Sequence, residues 1–332
     1  LPVSAADGQI TPFLDALFTA ASASCVTGLV TVSTAVHWSV FGKCVILLLI
    51  QIGGLGFMSV AAIASFVLRR TITLHERMVM SAGLNLSDGG GIVRLTRRVL
   101  FGTFIIEGTG AVLLSCRFVP HYGFPKGITM GVFHAVSAFC NAGFDLMGTP
   151  DDPFQSLIGW AEDPLVNITV MALIVLGGLG FFVWSDVWDK HSFCRLRLHT
   201  KIVLTATAGL LLFGFGWTLL FEWSNPATLG AFDTPHKLLA AAFESVTLRT
   251  AGFNTIDLGA LTGPSQAVSC LLMFIGGSPG STAGGIKTVT AAVLVLTAIS
   301  AFCGRTTVSA FGRTIAPRSI MNAVTLLMAG GV

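Results

Sequence analysis

Charge is scarce in this chain. Only 11% of its 332 residues are Asp, Glu, Lys or Arg, and 53% are hydrophobic, whereas soluble domains carry roughly 25% charged residues. That balance argues against a soluble fold, and the net charge of +3 is too small to mark a nucleic-acid partner. Paired cysteines are also missing. The seven cysteines (25, 44, 116, 140, 194, 270 and 303) form no C-x-x-C and no metal-ligand spacing, so neither a disulfide framework nor a zinc site is expected. Most lie in apolar runs, where a free thiol packs as a small hydrophobe. Residues 1–9 have neither a basic start nor an apolar core, so no signal peptide is read there. They look like the interior of a loop, with a first helix expected before them. No nucleophile–base pair lies within the apolar runs, which argues against an enzyme.

What the chain has instead is apolar length. Mean hydropathy is +0.81, and candidate spans cover 41–68, 99–119, 165–185, 201–221 and 266–302, most of them reaching the roughly 20 residues a bilayer helix needs. Thirteen of the 19 basic residues fall between alternate spans: Arg69, Arg70, Arg77, Arg94, Arg97 and Arg98, then Lys190, Arg195, Arg197 and Lys201, then Arg305, Arg313 and Arg318. By the positive-inside rule that side faces the cytoplasm. The opposite loops carry Asp7, Asp15, Asp145, Asp151, Asp152, Glu162, Asp163, Asp233 and Asp257.

Three short segments repeat one theme on the acidic side: Val26-Thr27-Gly28-Leu29, Asn141-Ala142-Gly143-Phe144 and Thr250-Ala251-Gly252-Phe253. Their glycines lie 115 and 109 residues apart, a period that means structural copies. Each follows a helix too short to span a bilayer, expected at Phe13–Ser24, at about 128–139 and at Pro235–Thr247. A second echo runs through the inner spans as Ile52–Phe57, Leu176–Phe181 and Ile275–Gly280. The expected architecture is therefore an all-α polytopic membrane protein of tandem outer helix, re-entrant helix, loop and inner helix. Repeat 1 covers 1–70, repeat 2 covers 92–190 and repeat 3 covers 198–304, with 313–332 opening a fourth. A ring of three would leave unsatisfied backbone at its seam, so either a fourth copy lies beyond Val332, the favoured expectation, or another chain completes the ring.

The chemistry such loops support is ion coordination. Carbonyl oxygens replace a cation's hydration shell without adding net charge, and glycine supplies the backbone freedom to aim them. The preceding short helices direct their negative dipole ends at the same place. Gly53, Gly54, Gly177 and Gly178, by contrast, suit close helix packing. Residues 276–288 cannot continue a helix, because Gly276, Gly277, Pro279, Gly280, Gly284 and Gly285 break it. The first and second copies are expected to lack this break. Irregular backbone at that depth is tolerated beside a water-filled cavity, where Lys287 or a hydroxyl of Ser278, Ser281 or Thr282 can bar passage. With Ala283 these residues form the candidate gate. A Walker A reading fails, since Ile286 separates Gly285 from Lys287. Arg249 is expected to pair with Glu107 or Glu222, as buried ionisable groups in membranes usually do. His37, His121, His134 and His236 show no metal spacing and receive no role.

These loop segments, together with Leu47–Phe57, the arginine-rich linker 92–98 and residues 275–288, resemble the Trk/Ktr/HKT family of potassium transporters, with the match best to the KtrB-type subunit. The resemblance implies a pseudo-fourfold pore of four M1–P–M2 repeats on one chain, in a bacterial inner membrane. It further implies a homodimer carried on a cytosolic ring of nucleotide-binding regulatory subunits. Potassium would sit at the loop carbonyls, with sodium a further candidate as activating ion and no organic cofactor on this chain. Membrane lipid is the other expected partner, and nucleic acid is not one. In the family a Ser at the first-loop glycine goes with sodium selectivity, so Gly28 implies potassium. Residues 276–288 correspond to the family's intramembrane gating loop. Cys25 and Cys140 stand where Thr or Asn is commoner, either at the outer edge of the filter or packed behind it. Channel-like passage and coupled uptake both remain open, and a secondary transporter with a midplane site formed by broken helices is the rival architecture.

Overall fold

The computed structural model describes residues 1–56, 92–305 and 307–330, and these are mostly helical. In chain order the helices are α1 (Phe13–Cys25), α2 (Val40–Leu55), α3 (Ile92–Tyr122), α4 (Phe124–Phe139), α5 (Pro164–Leu179), α6 (Phe181–Lys190), α7 (Leu198–Glu222), α8 (Thr234–Thr247), α9 (Gly263–Phe274) and α10 (Thr288–Phe302). A two-residue hairpin pairs β1 (Ser309–Ala310) with β2 (Arg313–Thr314) before α11 (Pro317–Gly330). The short helices start where proline presets the backbone: α1 directly after Pro12, α4 and α8 with proline in their first turn. Helix α5 is capped by Asp163, whose carboxylate accepts from the amides of Leu165 and Val166 at 3.0 and 3.1 Å.

Among the described residues two helices, Thr96–Tyr122 and Leu198–Glu222, are long and apolar enough to cross a membrane by themselves. Their surfaces leave Phe101, Phe104, Ile105, Leu212 and Leu220 exposed, the pattern of helices whose neighbours include lipid rather than water. The buried core gathers around α4, which is enclosed over most of its length by α2, α3 and α5, and Phe133 and Phe139 of this helix join Phe144 of the following loop in a cluster with Phe118, Phe243 and Phe253. Helix α8 packs against α7 and α5. Helix α4 is thus sheathed by longer helices, while α1 packs on α2 and leaves Phe13, Leu14 and Leu17 exposed.

Three expectations change. The segment 92–98, read as a linker, forms the first turns of α3, and Arg98 there donates to Asp189 of α6 at 3.0 Å. The span 165–185 is not continuous: α5 and α6 meet at a 92° bend. The break falls at Gly180, whose φ of +90° suits glycine and strains other residues. The second copy therefore does carry a break, and the Gly-Gly-Leu-Gly run that reads as a packing motif also turns the chain. The first span is helical from 40 to 55, and its expected continuation to 68 lies outside the described residues, as do Arg69, Arg70, Arg77 and the end of the chain at 331–332. The expected break at 276–288 is present, separating α9 from α10.

Candidate functional site

Each of the three short helices ends in the same backbone figure. The residue two before the glycine turns left-handed, Val26 at φ +57°, Asn141 at +55° and Thr250 at +63°, and the glycines follow at +77° (Gly28), +69° (Gly143) and +86° (Gly252). A β-branched residue at positive φ is strained, and such strain concentrates at functional loops. Each figure is closed onto its own helix. Thr27 donates from its amide to the Ser22 carbonyl at 2.9 Å and from its hydroxyl to Ser22 Oγ at 2.9 Å. In the second loop the Ala142 amide reaches the Ser137 carbonyl at 2.8 Å, and Ser137 Oγ donates to the Phe144 carbonyl at 2.6 Å. In the third, the Ala251 amide reaches the Thr247 carbonyl at 3.0 Å, while Thr247 Oγ1 donates to the Phe253 carbonyl at 2.6 Å.

The loops also meet one another, main chain against main chain. A Cβ placed on Gly28 would lie 2.5 Å from the Ala142 carbonyl oxygen, and one on Gly143 would lie 2.7 Å from that of Ala251. Glycine is required there by the neighbouring loop as well as by its own φ. The inner-span glycines bring the short helices in: Gly53 abuts the Ser24 carbonyl, Gly177 abuts the Phe139 carbonyl, and Gly54 faces Cys140 Sγ. Close packing is thus the role of Gly53, Gly54 and Gly177. Cys140 is fully buried behind the second loop, while Cys25 is exposed.

Residues 276–288 form a closed loop against this assembly. Its ends are zipped together, the Gly276 amide donating to the Ile286 carbonyl at 3.0 Å and the Ile286 amide to that of Phe274 at 3.0 Å. The rest lies along the bend of the second inner span. The amides of Ser278 and Thr282 donate to the carbonyls of Gly178 (3.0 Å) and Gly177 (3.2 Å), and the Phe181 amide returns a bond to the Gly280 carbonyl at 2.9 Å. Ser278 Oγ also donates to the Gly178 and Leu179 carbonyls. Thr282 Oγ1 donates to the Phe139 carbonyl, the last residue of α4, at 2.9 Å. The Lys287 ammonium folds back onto the Ala283 carbonyl at 2.7 Å. Ser281 Oγ is buried with no partner among the described residues.

The expected pairing of Arg249 with Glu107 or Glu222 is not made. Arg249 Nη2 donates instead to the Gly276 carbonyl at 2.9 Å and to Thr288 Oγ1 at 2.8 Å. Glu107 accepts from Gln51 Nε2 at 3.0 Å. Glu222 takes the Thr262 hydroxyl at 2.6 Å, the Thr228 hydroxyl at 2.7 Å and Asn225 Nδ2 at 2.7 Å. Arg249 Nη2 thus has a backbone carbonyl and a hydroxyl, and the two carboxylates have side-chain amides and hydroxyls, so each charge is met by neutral groups and the guanidinium and carboxylates do not pair. His134, given no role from sequence, spans the second loop: one ring nitrogen faces the Met130 carbonyl at 2.7 Å and the other takes the Leu146 amide at 3.3 Å. That pair of partners selects a neutral ring with its proton on Nδ1. Its only sequence signal is position, on the buried face of a short helix. At the exposed start of α8, a hydrogen bond with His236 holds the Asp233 carboxyl below its ordinary value, and the same bond raises the imidazole of His236. Among the described residues no group of three His, Cys, Asp or Glu side chains is placed to bind a metal ion.

A family model described as a cation transport protein, TrkH, matches residues 3–325. The chain belongs to the TrkH family. Two curated relatives of this TrkH-family chain are 42% identical to it: the potassium/sodium uptake protein NtpJ of Enterococcus hirae, over 98% of this chain and 71% of its own length, and the Ktr system potassium uptake protein B of Bacillus subtilis, over 91% and 67%. The Ktr system protein B of Vibrio alginolyticus is 37% identical over 100% of the chain and 71% of its own length. Among solved structures, the potassium transporter TrkH from Vibrio parahaemolyticus superposes with a TM-score of 0.66 at 16% identity. That superposition covers 96% of this chain and 63% of the other, so the chain spans less than two thirds of that structure. The TrkH family consists of transport proteins, and this member is not an enzyme.

Proposed function

We propose that this chain carries potassium ions across a bacterial inner membrane through a filter of backbone carbonyls. The filter residues are Val26, Thr27, Gly28 and Leu29, Asn141, Ala142, Gly143 and Phe144, and Thr250, Ala251, Gly252 and Phe253. One observation carries the reading: three short helices end in the same left-handed turn, and their glycine loops touch backbone to backbone. That is the geometry in which carbonyl oxygens and helix C-terminal dipoles act together on a cation. The three units act as repeats 1–70, 92–190 and 198–304 of a pseudo-fourfold pore, with 313–332 leading into a fourth. Residues 276–288 are the gate. The acidic loops face outward, and the basic loops face the cytosol as a docking surface for regulatory subunits, in keeping with relatives named as parts of Ktr systems. Two such chains pair as a homodimer, isologous pairing being the common solution.

The test is rubidium uptake into proteoliposomes holding the full-length protein, competed separately by potassium and by sodium, beside a Gly143→Ser variant. Potassium should compete at a much lower concentration than sodium, and the substitution should narrow that difference. Flux indifferent to Gly143, or no rubidium flux, would make the loops scaffold. The bends at Gly180 and 276–288 would then favour a transporter with a midplane site between broken helices.

A further inference from the structure

The loop 276–288 is bonded to the residues that lead into the second and third glycine loops, through two side chains that lie outside the three glycine motifs. Thr282 Oγ1, 7% exposed as a residue, donates to the Phe139 carbonyl at 2.9 Å, two residues before the left-handed Asn141. Arg249, also 7% exposed, immediately precedes the left-handed Thr250 and bonds both ends of the loop, Gly276 and Thr288. Thr288 Oγ1 in turn donates to the Gly276 carbonyl at 2.9 Å. The carbonyl that Thr282 holds is also the one against which Gly177 packs. The first glycine loop has no hydrogen bond to 276–288 among the described residues.

We propose that the 276–288 loop sets which ion passes as well as whether one passes, with Thr282 and Arg249 as positioning residues for the second and third glycine loops. The proposal rests on reading those loops as the filter. Left-handed Thr250 is a strained position and left-handed Asn141 a sparsely populated one, and both depend on surroundings that hold them. Thr282 and Arg249 supply part of that constraint from the loop itself. Moving the loop away therefore releases the backbone whose carbonyls coordinate the ion. An open gate and a fully discriminating filter then exclude one another, and ion preference depends on the state of the loop.

The test compares Thr282→Val, which keeps shape and removes the donor, with Thr282→Ser, which keeps the donor, in full-length protein reconstituted for rubidium uptake. The readout is the ratio of sodium to potassium concentrations needed for half-competition. Thr282→Val should lower that ratio about fivefold, the scale of one net hydrogen bond, and Thr282→Ser should restore it. Thr288→Val, which removes one partner of Arg249 at the other end of the loop, should lower it in the same direction and serves where Thr282→Val does not yield folded protein. A changed rate with an unchanged ratio in Thr282→Val or Thr288→Val overturns the proposal and leaves the loop acting on passage alone. Absence of rubidium flux in the unsubstituted protein instead refutes the filter reading beneath it.

Discussion

The first and second glycine loops share a backbone figure and differ in what holds it. Around Gly28 the bonds are local, Thr27 to Ser22 on the same helix. Around Gly143 they come from several directions: Ser137 to the Phe144 carbonyl, His134 to Leu146, and Thr282 from more than a hundred residues away. The same turn can thus be held by its own helix or by the rest of the molecule. The second arrangement makes the loop answerable to distant events.

Four measurements break or sharpen that comparison. The largest effect is expected at Gly177→Ala, whose methyl would run into the Phe139 carbonyl. Backbone cannot yield cheaply, so stability should fall by more than about 3 kcal/mol in a detergent melt. Gly53→Ala, which meets Ser24 in the same way, should match it in stability without touching the bonds of 276–288. Next comes Glu222→Gln, which weakens a carboxylate that holds two loops to α7 and whose hydrogen-bond partners all lie outside 276–288. A loss of about 1.5–3 kcal/mol is expected in the same melt, with ion preference unchanged. Third, Ser137→Ala should cost about 1 kcal/mol, because the Phe144 carbonyl is left buried, and Ser22→Ala should cost less, because its bond is partly exposed. Equal losses would erase the difference between the two loops. The smallest effect is at His236→Ala. The raised imidazole favours the folded state at pH below its ordinary 6.5 and loses that contribution as pH rises through the higher folded value. A small drop in melting temperature at about pH 5.5 should therefore vanish by about pH 9.

The glycine loops were legible in the sequence because a left-handed turn in close contact leaves few alternatives to Gly28, Gly143 and Gly252. The short helices were legible through proline at their starts and insufficient length, and α1 and α8 fall within a residue of their expected bounds. Helix α4 begins a turn earlier, at Phe124, because Gly123 and Pro125 start it there. What could not be read is what partners through backbone. A buried Arg249 implies a carboxylate partner, and its guanidinium bonds the Gly276 carbonyl instead, which any residue would supply. The bend at Gly180 was hidden because a glycine that admits a neighbour and a glycine that turns the chain look alike, and here one run does both. The reach of Thr282 to Phe139 joins residues that no local pattern connects.

The contact of Gly177 with the Phe139 carbonyl has a genetic consequence. When a substituted side chain collides with another side chain, a second mutation can trim the partner and restore function. A main-chain oxygen offers nothing to trim, because every residue at position 139 would present the same atom. Selection for restored uptake from a Gly177→Ala strain should therefore yield reversion at codon 177 and no compensating change at codon 139.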